Sequence, residues 1–168
     1  MSSSISLRII LFFVFFGLFT ASFQIGATTE LSEEESLAIL HDFADTMEDV
    51  DSTGIFLNNL STGFANFIPG IGPAWGLYSG WSTGIAISGI YSLYPELSEA
   101  QPLDIFYASP FGFIELIAYS IGMSHGAFLV FSFVKRHSMK SILKWTIVEI
   151  GIVVTLLAVG AVMEISLI

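Results

Sequence analysis

The 168-residue chain has no cysteine. Disulfides, cysteine-ligated zinc and iron–sulfur clusters are thereby excluded, and the redox compartment stays open. Basic residues are almost as scarce. Arg8, Lys135, Arg136, Lys140 and Lys144 are the complete set, and no lysine or arginine stands between Arg8 and Lys135. Nucleic-acid binding needs a basic footprint, so no nucleic-acid partner is expected. Charged residues make up 12 % of the chain, against about a quarter in soluble domains. The sequence also lacks a phosphate-binding loop, a nucleophile elbow and a three-ligand metal set. We therefore expect no catalytic residues, no metal and no cofactor.

What is present is apolar. Hydrophobic residues account for 54 % of the chain and the mean hydropathy is +0.78. Apolar runs of membrane-spanning length recur, which reads as an integral membrane protein. The length suits one compact membrane domain, with no room for a large soluble catalytic domain beside it.

Residues 9–27, IILFFVFFGLFTASFQIGA, follow Arg8 directly. They read as a signal-anchor helix within an N-terminal unit, 1–29. A cleaved signal peptide is the competing reading, because small residues close the run. Residues 30–52 then change character: nine of the fifteen acidic residues fall between Glu30 and Asp51. Ser32 and Glu35 fit a capping box. Leu37, Leu40, Ala44 and Met47 recur at helical spacing with Phe43 beside them. We expect an amphipathic helix outside the membrane, packed on protein rather than on anionic lipid, which would repel it. His41 and Asp45, one turn apart, read as part of its solvated face.

Residues 53–168 read as a four-span domain. A hairpin over 54–94 is broken at PGIGP, 69–73, with Pro73 suited to a first helical position. Its first leg is short enough for a re-entrant helix. A loop over 95–109 leads to a span at 110–134 capped by Ser109, and a last span covers 145–168. The fold class is thus an all-α membrane bundle of about five transmembrane helices. Arg8 and the 135–144 cluster should both be cytoplasmic by the positive-inside rule. The amino end is then inside, the carboxyl end outside, and both acidic stretches outside.

Gly72, Gly76, Gly80, Gly84 and Ser88 form a stripe along the third span, and Gly122 and Gly126 repeat the device in the fourth. Each glycine would weaken a helix in water by about 1 kcal/mol relative to alanine. In lipid, small residues four apart let a second backbone approach closely. The stripe reads as a helix-contact face, packed internally against span two or five, or against another copy or another protein. Trp75, Tyr91 and Tyr94 suit the helix ends. Trp81 is mid-span, where its indole N–H needs a partner, so it is expected to point inward.

Intramembrane carboxylates cost at least ~2.5 kcal/mol and so mark candidate sites. Glu115, Glu164, Asn58 and Asn59 are predicted at similar depth in the outer leaflet. They could form a proton or cation site, or a structural network in which a protonated glutamate hydrogen-bonds an asparagine. Glu149 is expected to pair locally with Lys144 and the 135–140 cluster, and His125 to be a neutral hydrogen-bonding residue.

FLNNL (56–60), the glycine-rich third span, PFGFIEL (110–116) followed by Ala118, and AVMEI (161–165) together resemble the stage II sporulation protein M family. The resemblance implies a five-span bundle with an asparagine pair opening span two and glutamates in spans four and five. That family has a histidine between the proline and glycine where this chain has Phe111. The match at Pro110, Gly112 and Glu115 thus implies shared helix-opening geometry more than shared chemistry. The resemblance further implies a membrane scaffold that recruits partners. The expected function is a non-enzymatic scaffold or accessory subunit, in contact with the bilayer and with other membrane proteins or a second copy. A small transporter using the Asn/Glu cluster is the alternative.

Overall fold

The structure is a computed structural model that describes every residue except 1, 48–51, 100, 137 and 168. Seven α-helices are found among the described residues: α1 (Ser2–Ala27), α2 (Glu33–Met47), α3 (Ser52–Ala65), α4 (Ile71–Leu93), α5 (Asp104–Tyr107), α6 (Pro110–Val134) and α7 (Met139–Leu167). No strand occurs among them. Three helices are long and apolar enough to cross a membrane: Ile5–Ala27, Pro110–Val134 and Ile142–Glu164.

The sequence predicts five such helices, and the shortfall lies in the hairpin. α3 has 14 residues, which at 1.5 Å per residue reaches only about 21 Å. α4 has 23 residues, enough length, but its glycines, serines and threonine dilute its hydropathy. Pro73 stands third in α4 rather than first. The preceding Gly70 adopts φ +78°, the left-handed region that glycine enters at no steric cost. α7 begins at Met139 rather than Trp145.

α6 is the centre of the bundle. Leu116, Ala118, Tyr119, Ser120, Met123 and His125 are all buried along it. It opens as predicted, with Pro110 at the first position and the Ser109 hydroxyl accepting from the Gly112 N–H at 2.9 Å. α1 packs on α4 and on α6. Its Phe19 and Phe23 are fully enclosed by these neighbours.

The contact face of α4 is as predicted; it meets the second predicted span only at its start, and α1 takes the rest. Gly72, Gly76, Gly80, Gly84 and Gly89 are buried. The stripe is shared between neighbours: Gly72 and Gly76 lie against Ala65, Asn66 and Met123, while the Phe19 ring of α1 lies over Gly80 and Gly26 crosses Gly84. Two hydroxyls tie the same seam, Ser88 Oγ donating to the Thr29 carbonyl at 2.6 Å and Ser22 Oγ to that of Leu77 at 2.7 Å. Gly122 and Gly126 instead receive the α3–α4 turn: Gly122 lies against Asn66 and Phe67, Gly126 against Ile68 and Pro73.

The 95–109 connection is more ordered than a loop. A 3₁₀ turn at Pro95–Glu99 precedes α5, whose Phe106 ring meets Phe23 edge-on at 4.7 Å and Phe19 at 5.6 Å. Each such aromatic pair is worth roughly 0.5–1.5 kcal/mol beyond its burial.

α2 carries the predicted capping box. Ser32 N and Oγ both donate to Glu35 Oε2, at 2.8 and 2.6 Å, and the Glu35 N–H returns to Ser32 Oγ at 3.3 Å. The helix packs on α4. Ser36 is buried, and Ile39 and Leu31 reach Gly89, while Leu37 is exposed. The side chains of Phe43, Ala44, Asp45 and Met47, invoked for the predicted faces, lie outside the described residues.

Candidate functional site

Two polar networks cross the helix seams. The first joins α3, α6 and α7 near the Pro110 end. Asn59 Nδ2 donates to Glu115 Oε1. Asn58 Nδ2 approaches Asn59 Oδ1 at 3.5 Å, at the limit of a hydrogen bond. Glu164 lies within electrostatic reach of Glu115. Of the four predicted residues, the structure joins Asn59 and Glu115 directly, whereas Asn58 is exposed. Gly160 of α7 faces Phe111 and Glu115 across the seam, with room for a Cβ in ordinary contact. Two carboxyls and one donating amide can hold a proton or support a hydrogen-bonded structural link. No group of three metal-ligating acids, histidines or cysteines is found among the described residues.

The second network joins α1, α6 and α7 near the Val134 end. Arg8 Nη1 donates to Glu149 Oε1, and the same carboxylate's Oε2 faces His125 Nδ1. His125 Nε2 lies 2.9 Å from Thr146 Oγ1, whose hydroxyl donates to the Ile142 carbonyl at 3.0 Å. The Arg8 guanidinium also covers the Phe128 ring at 3.8 Å, a cation–π contact. This corrects the expected Glu149–Lys144 pairing. The reason is depth: Glu149 is two helical turns past Lys140, inside the seam and level with Arg8.

Sequence reasoning did not anticipate this link, although a cue existed. The apolar span begins at Ile5, so Arg8 falls inside it rather than in front of it. Asn66 was missed as well. It is fully buried where the hairpin turns, its amide makes no hydrogen bond among the described residues, and Gly72, Gly76, Gly122 and Gly126 all press on it.

Trp81 corrects a further expectation. It does not turn inward: Trp75, Tyr78 and Trp81 stand 45, 55 and 39 % exposed on the outer face of α4. Their rings follow one another at 5.9 Å spacing.

Comparison with known protein families, curated proteins and solved structures finds no match to this chain.

Proposed function

We propose that the chain is a non-enzymatic multi-pass membrane protein that serves as a scaffold or accessory subunit of a larger membrane assembly. The observation that carries this is the aromatic ladder Trp75–Tyr78–Trp81. Indole N–H and phenol O–H groups that face hydrocarbon lose their hydrogen bonds to water. None of the three makes a hydrogen bond among the described residues. A second protein's helix, carrying acceptors along one face, would satisfy all three groups and cover large rigid surfaces of the kind that dominate interfaces. The resemblance to stage II sporulation protein M proteins points the same way.

The proposal includes a cell-membrane location with the amino end cytoplasmic and the carboxyl end outside. It also counts the α3–α4 hairpin as two further crossings. Ile68 and Pro73 lie against Gly126, and a Cβ on Gly70 would stand 3.7 Å from Val130. The hairpin tip thus reaches the last third of α6, which supports that count.

Purification in mild detergent followed by mass spectrometry tests the scaffold. A stoichiometric protein partner is expected with the native chain. It should be lost on combining Trp75→Leu, Tyr78→Leu and Trp81→Leu, which keep the face apolar, and retained with Glu115→Gln. A partner-free chain, or a partner indifferent to the ladder, overturns the reading.

A small ion- or proton-handling protein is the second reading, favoured by the Asn59–Glu115 link with Glu164 beside it. Flux in proteoliposomes abolished by Glu115→Gln would replace the first reading with this one.

A further inference from the structure

A cleft of about 370 Å³ opens between α1 and α7, with α6 as its floor. Ligand pockets start at roughly 300 Å³, so one chain-like molecule fits. Ile9, Phe12, Phe13 and Ile152 make its walls apolar, and Arg8 and Glu149 close one end. Ile9, Phe13 and Ile152 are each about half exposed, so the cleft is open on the side that faces lipid. Two features at the closed end have no role in the bundle itself. Arg8 engages its protein partners through Nη1 alone, which leaves Nη2 and Nε without a hydrogen-bond partner among the described residues. Lys140, Lys144 and Val148 form one i, i+4 row of α7. Val148 lines the cleft, and the two lysines continue the row past its closed end, exposed.

We propose that this cleft binds one anionic phospholipid. One chain lies along Phe12, Phe13 and Ile152, the glycerol-backbone oxygens accept from the free Arg8 donors, and the charged headgroup meets Lys140 and Lys144. Charge complementarity selects the occupant. The carboxylate of Glu149 is already paired with Arg8, and the next charges along the row are two cations. Lys135 and Arg136, exposed in the connection before α7, add to the positive field. A juxtamembrane lysine contributes about a fivefold preference for anionic over neutral lipid. The site is independent of the partner proposed for α4.

The test uses the full chain, stripped of lipid and titrated with phosphatidylglycerol or phosphatidylcholine of identical chains, with bound lipid counted by native mass spectrometry. One phosphatidylglycerol should be retained per chain, more tightly than phosphatidylcholine. The pair Lys140→Gln and Lys144→Gln should reduce that preference by roughly fivefold per lysine. Ile152→Trp, at an exposed position that fills the cleft, should abolish retention of either lipid. Thermal melts of the lipid-free variants check that they fold, and the lysine pair, being exposed, carries the test if Ile152→Trp does not. Equal retention of the two lipids by the native chain, or a preference unmoved by the lysine changes, overturns the proposal.

Discussion

Gly26 of α1 and Gly84 of α4 meet backbone to backbone. A Cβ on Gly26 would stand 3.1 Å from the Gly84 Cα, and a Cβ on Gly84 would stand 3.0 Å from the Gly26 Cα. Both positions also press on the neighbouring helix's carbonyl and amide groups, which cannot rotate aside as a side chain would. Gly84→Leu should therefore force the two helices apart and cost about 3 kcal/mol or more. Gly84→Ala should cost less but remain destabilising. Gly17→Ala is the control, since nothing lies within 4 Å of a Cβ there. Unfolding by denaturing detergent measures all three, and a neutral Gly84→Leu would refute the close crossing.

The Arg8–Glu149 pair has side chains only 14 and 17 % exposed. Removing one partner strands the other charge, which costs roughly 3–5 kcal/mol in buried pairs. Arg8→Met and Glu149→Met should each approach that loss. The double variant should recover a large part of it, because no charge is then left alone. A double-mutant cycle on unfolding free energy reads the coupling, and simple additivity would show that the pair contributes nothing.

Glu35 gives α2 a pH dependence. Hydrogen bonds from the Ser32 hydroxyl and backbone hold its carboxyl below its ordinary value of 4.5. A lowered folded-state value means that the contribution is complete above the unfolded-chain value. It is lost as pH falls through the lower folded-state value. The start of α2 should therefore loosen below about pH 4.5. Because the chain has no cysteine of its own, a spin label on Leu37→Cys reports only that site. Its mobility should rise on acidification, and Ser32→Ala should raise it already at neutral pH. A label indifferent to both would show that the box does not hold the helix start.

At the Asn59–Glu115 link, Glu115→Gln keeps an oxygen to accept from Asn59 and should change stability by less than about 1 kcal/mol. Asn59→Leu removes the donor and should cost about 1–3 kcal/mol. Thermal melts in detergent compare them. A larger loss from Glu115→Gln than from Asn59→Leu would mean that the carboxyl itself, not the hydrogen bond, holds the seam.

Much of this architecture could be read from local pattern. The Ser32–Glu35 box, the Ser109–Pro110 helix start and the break at Pro69–Gly70 each depend on neighbours within four residues, so each was legible. The buried face of α4 followed from its four-residue glycine period. Its partner did not, because a smooth groove records that something packs there without recording what. Glu149 was assigned to Lys144 for the same reason: nearness in sequence was the only cue, and Arg8 lies 141 positions away. Trp81 defied a sound local argument, since an indole N–H lacking a partner among the described residues turned outward instead of in. The Asn59–Glu115 link was foreseen because equal depth from a common surface is itself a long-range constraint.

The Arg8–Glu149 pair also sets an order of events during synthesis. Arg8 leaves the ribosome 141 residues ahead of Glu149, and α1 is made before α7. Throughout the intervening elongation the first helix carries a cation with no carboxylate to receive it. Insertion cannot then proceed as a series of finished, independent helices. α1 must stay unsealed on one side until α7 arrives and locks it in place.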